Sequence, residues 1–158
     1  AKQLEVCATT LPQAALPRIL SDPRYEEHLS TTAARYRARA EELTAALADM
    51  SGLTMVEPQG AFYASPVFAD GVLNTTQSLP IADEAVRAFI ETRVANVAPD
   101  KRFVYYLMAA TGICVVPLSG MNSDRDGFRV TLLEPDDARF SELCTTLAAS
   151  IHAYLASG

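Results

Sequence analysis

From Pro23 to Met50 the apolar or small positions Tyr25, Leu29, Ala33, Tyr36, Ala40, Leu43, Leu47 and Met50 recur by threes and fours. That spacing predicts one stripe of a long α-helix facing a core. Asp22-Pro23 predicts its start, with Asp as N-cap and Pro at the first helical position, and Ser51-Gly52 predicts its stop. Arg35, Arg37 and Arg39, followed by Glu41 and Glu42, read as solvated charges pairing along the helix. Ahead of it, Leu4 to Leu20 is apolar but contains Pro12 and Pro17, which predicts a broken helical lead-in.

After Gly52 the pattern changes. Leu53 to Val56 reads as a strand, Glu57 to Gly60 as a turn, and Ala61 to Phe68 as a second extended run, together an antiparallel pair. Asp70 to Pro80 is rich in Gly, Asn, Thr and Ser and reads as a loop, a candidate exposed insertion. Ala82, Ala85, Val86, Phe89 and Ile90 form another helical stripe. Pro99-Asp100 opens a further helix with Phe103, Val104, Leu107 and Met108 inward, closed by Gly112. Ile113 to Val116 is a strand ended by Pro117, Leu118 to Gly127 a polar loop, and Phe128 to Leu133 another strand. Pro135-Asp136-Asp137 opens a last helix whose inward stripe is Phe140, Leu143, Cys144, Leu147, Ile151 and Leu155. The order predicts an α/β protein of α+β type, a small, mainly antiparallel or mixed sheet covered by helices.

Length and composition narrow this picture. The 158 residues suit one domain, read as a lead-in over 1–22 and an α/β domain over 23–158. With 49% hydrophobic residues the chain is not a disordered one. A net charge of −6 offers no general basic surface, which speaks against nucleic-acid binding. No apolar run reaches the roughly 18–20 residues of a membrane span, so no membrane role is expected. Cys7, Cys114 and Cys144 are odd in number and far apart, without metal spacing, and with His28 and His152 alone in helical stretches no metal site is predicted. A reducing cytoplasm is the expected location. The start, Ala1 to Val6, has neither an initiator Met nor a signal-peptide pattern and reads as a chain that begins partway through a longer one.

The richest stretch for chemistry is Gly112-Ile113-Cys114-Val115-Val116-Pro117-Leu118-Ser119-Gly120, followed by Gly127-Phe128-Arg129-Val130-Thr131-Leu132. A strand delivers the chain to a small-residue loop, and a second strand carries an arginine between apolar neighbours. A guanidinium in a sheet-and-helix layer needs an anion, because its donors are costly to bury unpaired. On residue type alone that anion is either a protein carboxylate, the commoner case, or a ligand. Ser119-Gly120 lacks the flanking glycine of a nucleophile elbow and has no histidine in a comparable loop, so a hydrolase triad is not expected. Asn122, Ser123, Asp124 and Asp126 lack the closing Glu of a calcium loop and read as solvated.

Taken in order, Pro58-Gln59-Gly60-Ala61-Phe62-Tyr63, the Gly112 to Gly120 strand-loop and Gly127-Phe128-Arg129 resemble motifs of the class I/II, fold-type-I aminotransferases that depend on pyridoxal phosphate. The likeness is to their small C-terminal domain, in the alanine and aspartate aminotransferase-like branch, and the helices over 23–50 and 136–156 extend it along nearly the whole chain. It implies that Arg129 grips the α-carboxylate of an amino acid or 2-oxo acid, that Gly120 and Asn122 lie in a loop approaching that substrate, and that Tyr63 lies near the domain cleft. It also implies pyridoxal phosphate in the parent enzyme and a homodimeric parent active in amino acid metabolism.

The same resemblance marks what is not visible. A Schiff-base lysine and a phosphate cup are needed for such chemistry. The chain has Lys2 at its start and Lys101 at a helix start, neither in the family's cofactor-lysine context, and no Gly-rich phosphate loop. The expectation is therefore a small domain truncated from its large cofactor-binding domain, with no catalytic or cofactor residues of its own and inactive by itself. The alternative is a stand-alone α/β ligand-binding or interaction module in which Arg129 is a structural ion-pair member.

Overall fold

Helix α1 (Thr10–Leu20) opens the computed structural model, which describes residues 9–158. Lys2, Cys7 and the first part of the predicted lead-in lie outside the described residues. The chain falls into two units, residues 1–35 and 36–158, and helix α2 (Tyr25–Leu47) spans the boundary between them.

In the first unit α1 is continuous, with Pro17 inside it. The expectation of a break there was too strong. Pro12 falls in the first turn, where N–H groups have no intrahelical partner, so only Pro17 removes a helical bond. No residue of α1 is buried, and Leu11, Leu16, Ile19 and Leu20 are exposed. The turn before α2 is held by Asp22, whose Oδ1 accepts from the Arg24 N–H at 2.9 Å and from Arg24 Nε at 3.0 Å. That turn delays the helix to Tyr25, two residues past Pro23. Arg24 beside it holds the Asp22 carboxyl below its ordinary range.

In the second unit the predicted elements appear in order, shortened. The strands are β1 (Leu53–Thr54), β2 (Tyr63–Ala64), β3 (Val67–Phe68), β4 (Val116–Pro117) and β5 (Phe128–Thr131). The later helices are α3 (Glu84–Arg93), α4 (Pro99–Thr111) and α5 (Asp137–Leu155). All strand pairings are antiparallel: β1 with β3, and a three-stranded sheet in the order β2-β5-β4. This is the mixed α/β class the pattern predicts. The run from Ala61 to Phe68 is divided at Ser65-Pro66 into β2 and β3, yet Val67 still bridges Gly127 in the register of β2 with β5, so the run follows the β5 strand along its length and pairs with β1 at its far end.

The core is a ring cluster wrapped in aliphatics. Phe103 packs against Phe68, Phe128 and Tyr154 with ring centroids 5.1–5.5 Å apart, the offset and edge-on geometry that aromatic quadrupoles favour. Leu43 and Leu47 from α2, Leu107 from α4 and Phe140, Leu147 and Ile151 from α5 close around it. α4 ends as predicted, with Gly112 at φ 79° as a left-handed cap.

Four expectations need correction. Of the α3 stripe only Ile90 is buried, and Val86 and Phe89 are exposed. Met108, expected inward on α4, is also exposed. The 70–80 segment is no exposed insertion, since Leu73, Gln77 and Leu79 are buried. Gln77 accepts from the Asn74 N–H and donates to Val72 O, and Arg102 Nε donates to Gln77 O at 3.1 Å. Arg39, read as solvated, is 4% exposed. It donates to Leu132 O at 2.9 Å and to Asp137 Oδ1 at 2.5 Å, and its guanidinium lies 5.2 Å from the Phe140 ring centre. Position 39 lies next to Ala40, three residues after Tyr36 and four before Leu43, so its long stem turns inward while its charge finds partners in Leu132, just past β5, and on α5. Among the described residues no helix is long and apolar enough to cross a membrane.

Candidate functional site

Strand β5 places Arg129. Its neighbours Phe128 and Val130 are buried in the core and Arg129 is half-buried on the opposite face, as the two-residue period of a strand dictates. Gly127 permits this approach. Its backbone bridges to Val67, and a Cβ there would stand 2.5 Å from Pro66 O and 2.7 Å from a Leu118 methyl. Phe128 N–H donates to Pro66 O at 3.0 Å and Leu118 N–H to Gly127 O at 3.0 Å.

Tyr63 and Arg129 come together. Tyr63 pairs with Thr131 across β2 and β5, so Arg129 is its diagonal neighbour on the same face. The guanidinium carbon lies 4.4 Å from the Tyr63 ring centre. Among the described residues Arg129 forms no ion pair, and its Nε is buried without a hydrogen-bond partner. The carboxylate partner that the structural reading of Arg129 requires is absent from them. The buried, paired arginine of this unit is Arg39.

Gly120 and Asn122 stand apart from that contact. Gly120 lies in a single 3-10 turn (Leu118–Met121), and Asn122 follows it at φ 61° as a left-handed cap; both are exposed. Asn122 makes no hydrogen bond to Arg129. The turn joins β4 to the loop ahead of β5, so both residues belong to the connection that feeds the Arg129 strand.

That connection is pinned by Asp100, which the sequence marked only as a helix opener. Asp100 is fully buried in the first turn of α4 and accepts from the Ser119 N–H at 2.8 Å and the Ser119 hydroxyl at 2.5 Å. Pro-Asp at a helix start signals an acid in the first turn and nothing about burial; the small Ser119 in the facing loop was the available clue. Burial pushes the nearby Asp126 carboxyl upward, the Asp100 charge adds to this, and the Asp100 backbone N–H partly offsets it.

No group of three or more His, Cys, Asp or Glu among the described residues has metal-binding geometry. Cys114 is exposed and Cys144 buried, its thiol pushed up to about 11 by burial, which leaves it protonated and unreactive at neutral pH. His28 and His152 are exposed.

Comparison with known proteins adds independent findings. Residues 3–147 match the family described as aminotransferase class I and II. The chain is 44% identical over 155 residues to an uncharacterized aminotransferase of Methanocaldococcus jannaschii, covering 98% of this chain and 36% of that protein. It is 30% identical over 136 residues to alanine aminotransferase 1 of Homo sapiens, covering 84% of this chain and 26% of that protein. It therefore spans about a third or less of the length of these curated relatives. In fold it resembles the aspartate aminotransferase of Rhizobium meliloti, with a TM-score of 0.65 at 23% identity over 96% of this chain and 33% of that one. A multiple substrate aminotransferase of Thermococcus profundus gives a TM-score of 0.62 at 16% identity, over 98% of this chain and 33% of that one. With the family match covering most of the sequence and the same fold beneath it, the chain belongs to the aminotransferases of class I and II.

Proposed function

We propose that this chain serves as the small domain of a transaminase that moves an amino group between an amino acid and a 2-oxo acid, and that Arg129 holds the substrate carboxylate. The single observation that carries this is the unpaired guanidinium on β5, half-buried and stacked on Tyr63, in a chain of this family. A planar guanidinium offers a carboxylate two parallel charge-assisted bonds, which fix its position and its plane at once. Holding the substrate by one end turns the reaction at its α-carbon into a positioned, near-intramolecular event. Asp100, through Ser119, fixes the loop that carries Gly120 and Asn122 beside the same strand, which supports their assignment to the substrate side.

Members of this family generally carry pyridoxal phosphate, and the described residues do not fit it. Lys101 is exposed on the first turn of α4. The glycines at positive φ, Gly52, Gly71 and Gly112, follow a helix or form a turn rather than opening a helix N-terminus where phosphate binds. As part of the same proposal, the cofactor site and the catalytic lysine belong to polypeptide other than these residues, a large domain with which the chain works in a dimeric parent in the cytoplasm. Alone, the chain binds acids and does not transaminate.

Equilibrium dialysis against radiolabelled pyruvate tests the clamp. Two charge-assisted bonds at roughly 1.5–3 kcal/mol each, offset by the cost of association, place the dissociation constant in the roughly millimolar range. Arg129→Gln abolishes saturable binding and Arg129→Lys weakens it, with thermal stability kept. Equal binding by wild type and Arg129→Gln overturns the proposal.

A further inference from the structure

Among the described residues no hydrogen bond orients the Arg129 guanidinium. Its Nε is buried without a partner and it forms no ion pair among the described residues, so the side chain's outer torsions are free as far as polar contacts go. A bidentate clamp depends on the tilt of the guanidinium plane, and a rotating fork pays rotamer entropy each time it binds. What restrains it is a ring. Tyr63 lies 4.4 Å below the guanidinium carbon, close enough for the ring face to attract the cation and wide enough to resist its rotation.

Tyr63 is itself held. The Phe62 ring lies 4.5 Å from the Tyr63 ring, and Tyr36 on α2 lies 6.2 Å from Phe62. Leu132 N–H donates to Phe62 O at 2.9 Å, which locks this part of the chain to β5. A row of rings thus runs from α2 to the arginine, ending on a tyrosine that is 39% exposed. An aromatic at that exposure contributes little to the core, so packing alone does not account for its place.

We infer that Tyr63 is a positioning residue, whose ring sets the plane of the Arg129 guanidinium so that its outer edge meets a carboxylate ready oriented. This rests on the carboxylate-clamp reading above and assigns Tyr63 a role through the arginine rather than a contact with substrate. The ring, and not the hydroxyl, does the work, so phenylalanine should replace it and leucine should not.

The test compares the wild-type chain, Tyr63→Phe and Tyr63→Leu by two readouts. In spectra of arginine-labelled protein the Arg129 Nε–H resonance is shifted upfield by the ring in wild type and Tyr63→Phe, and the shift is lost in Tyr63→Leu. Pyruvate binding stays within about twofold of wild type in Tyr63→Phe and weakens roughly three- to tenfold in Tyr63→Leu. The thermal midpoint of all three agrees closely, which a role in folding would not give. Unchanged affinity in Tyr63→Leu overturns the inference, as does equal weakening in both variants, which would transfer the effect to the hydroxyl. Absence of saturable pyruvate binding by the wild-type chain overturns the clamp reading instead, and the Nε–H shift then reports separately whether the ring orients the arginine.

Discussion

Asp137→Ala is expected to cost more than its exposure suggests. Asp137 lies on the surface at the first turn of α5, with its side chain 84% exposed, whereas its partner Arg39 is 4% exposed. An ordinary exposed pair contributes about 0–1 kcal/mol. Here removal leaves a buried guanidinium with Leu132 O as its remaining acceptor and Nε already unpartnered. Breaking a fully buried pair costs about 3–5 kcal/mol, and water reaching the open Asp137 side reduces this to an expected 1.5–3 kcal/mol. Arg39→Met keeps the stem against Phe140 and removes the charge, so the Arg39→Met/Asp137→Ala double variant should recover most of the loss. Urea unfolding of the 158-residue chain, with slopes compared to exclude changes in the unfolded state, measures this. A loss below about 0.5 kcal/mol for Asp137→Ala, or a double variant no more stable than the single one, would refute the reasoning.

Further outcomes follow from other parts of the structure. Gly127→Ala drives a Cβ into Pro66 O at 2.5 Å, so it should cost about 1–3 kcal/mol, read as a lowered melting temperature, and weaken pyruvate binding by moving β5. Asp126 has its carboxyl raised above 3.8 by burial, so the fold favours its neutral form. That contribution is complete below the unfolded value and is lost as pH rises through the folded one. Asp126→Asn, neutral throughout, should therefore match or exceed wild-type stability near neutral pH and lose that advantage in acid, as unfolding at about pH 4 and about pH 7 would show. Borohydride reduction after incubation with pyridoxal phosphate should label Lys101 no more than any exposed lysine; stoichiometric labelling of either lysine would place a cofactor site in this chain.

Two arginines show what the residue pattern could and could not reveal. The strand that carries Arg129 was readable, but its face was not: expected in a sheet-and-helix layer, Arg129 follows the ordinary two-residue alternation and stands on the face opposite the core. Arg39 sits in a charged stretch of a helix, where a stem long enough to turn inward is indistinguishable in sequence from one that stays in water. Helices α2, α4 and α5 were legible because the apolar period, the prolines near their starts and the glycines after α2 and α4 agree. Strand pairing was less so, since the run that carries β2 and β3 pairs with β1 at its far end and with the β5 strand along its length, and the second partnership leaves no local pattern. The Asp100 to Ser119 link joins residues 19 apart through a buried carboxylate, a partnership that depends on tertiary packing and leaves no periodic trace.

The most direct test of the central claim observes the Arg129 side chain itself while pyruvate is added to the wild-type chain. If Arg129 holds the carboxylate, its guanidinium resonances move saturably, the other arginines stay in place, and Arg129→Lys loses the effect. Resonances of Arg129 that stay fixed at concentrations where pyruvate binds would show that the acid is held elsewhere, and the account would be wrong.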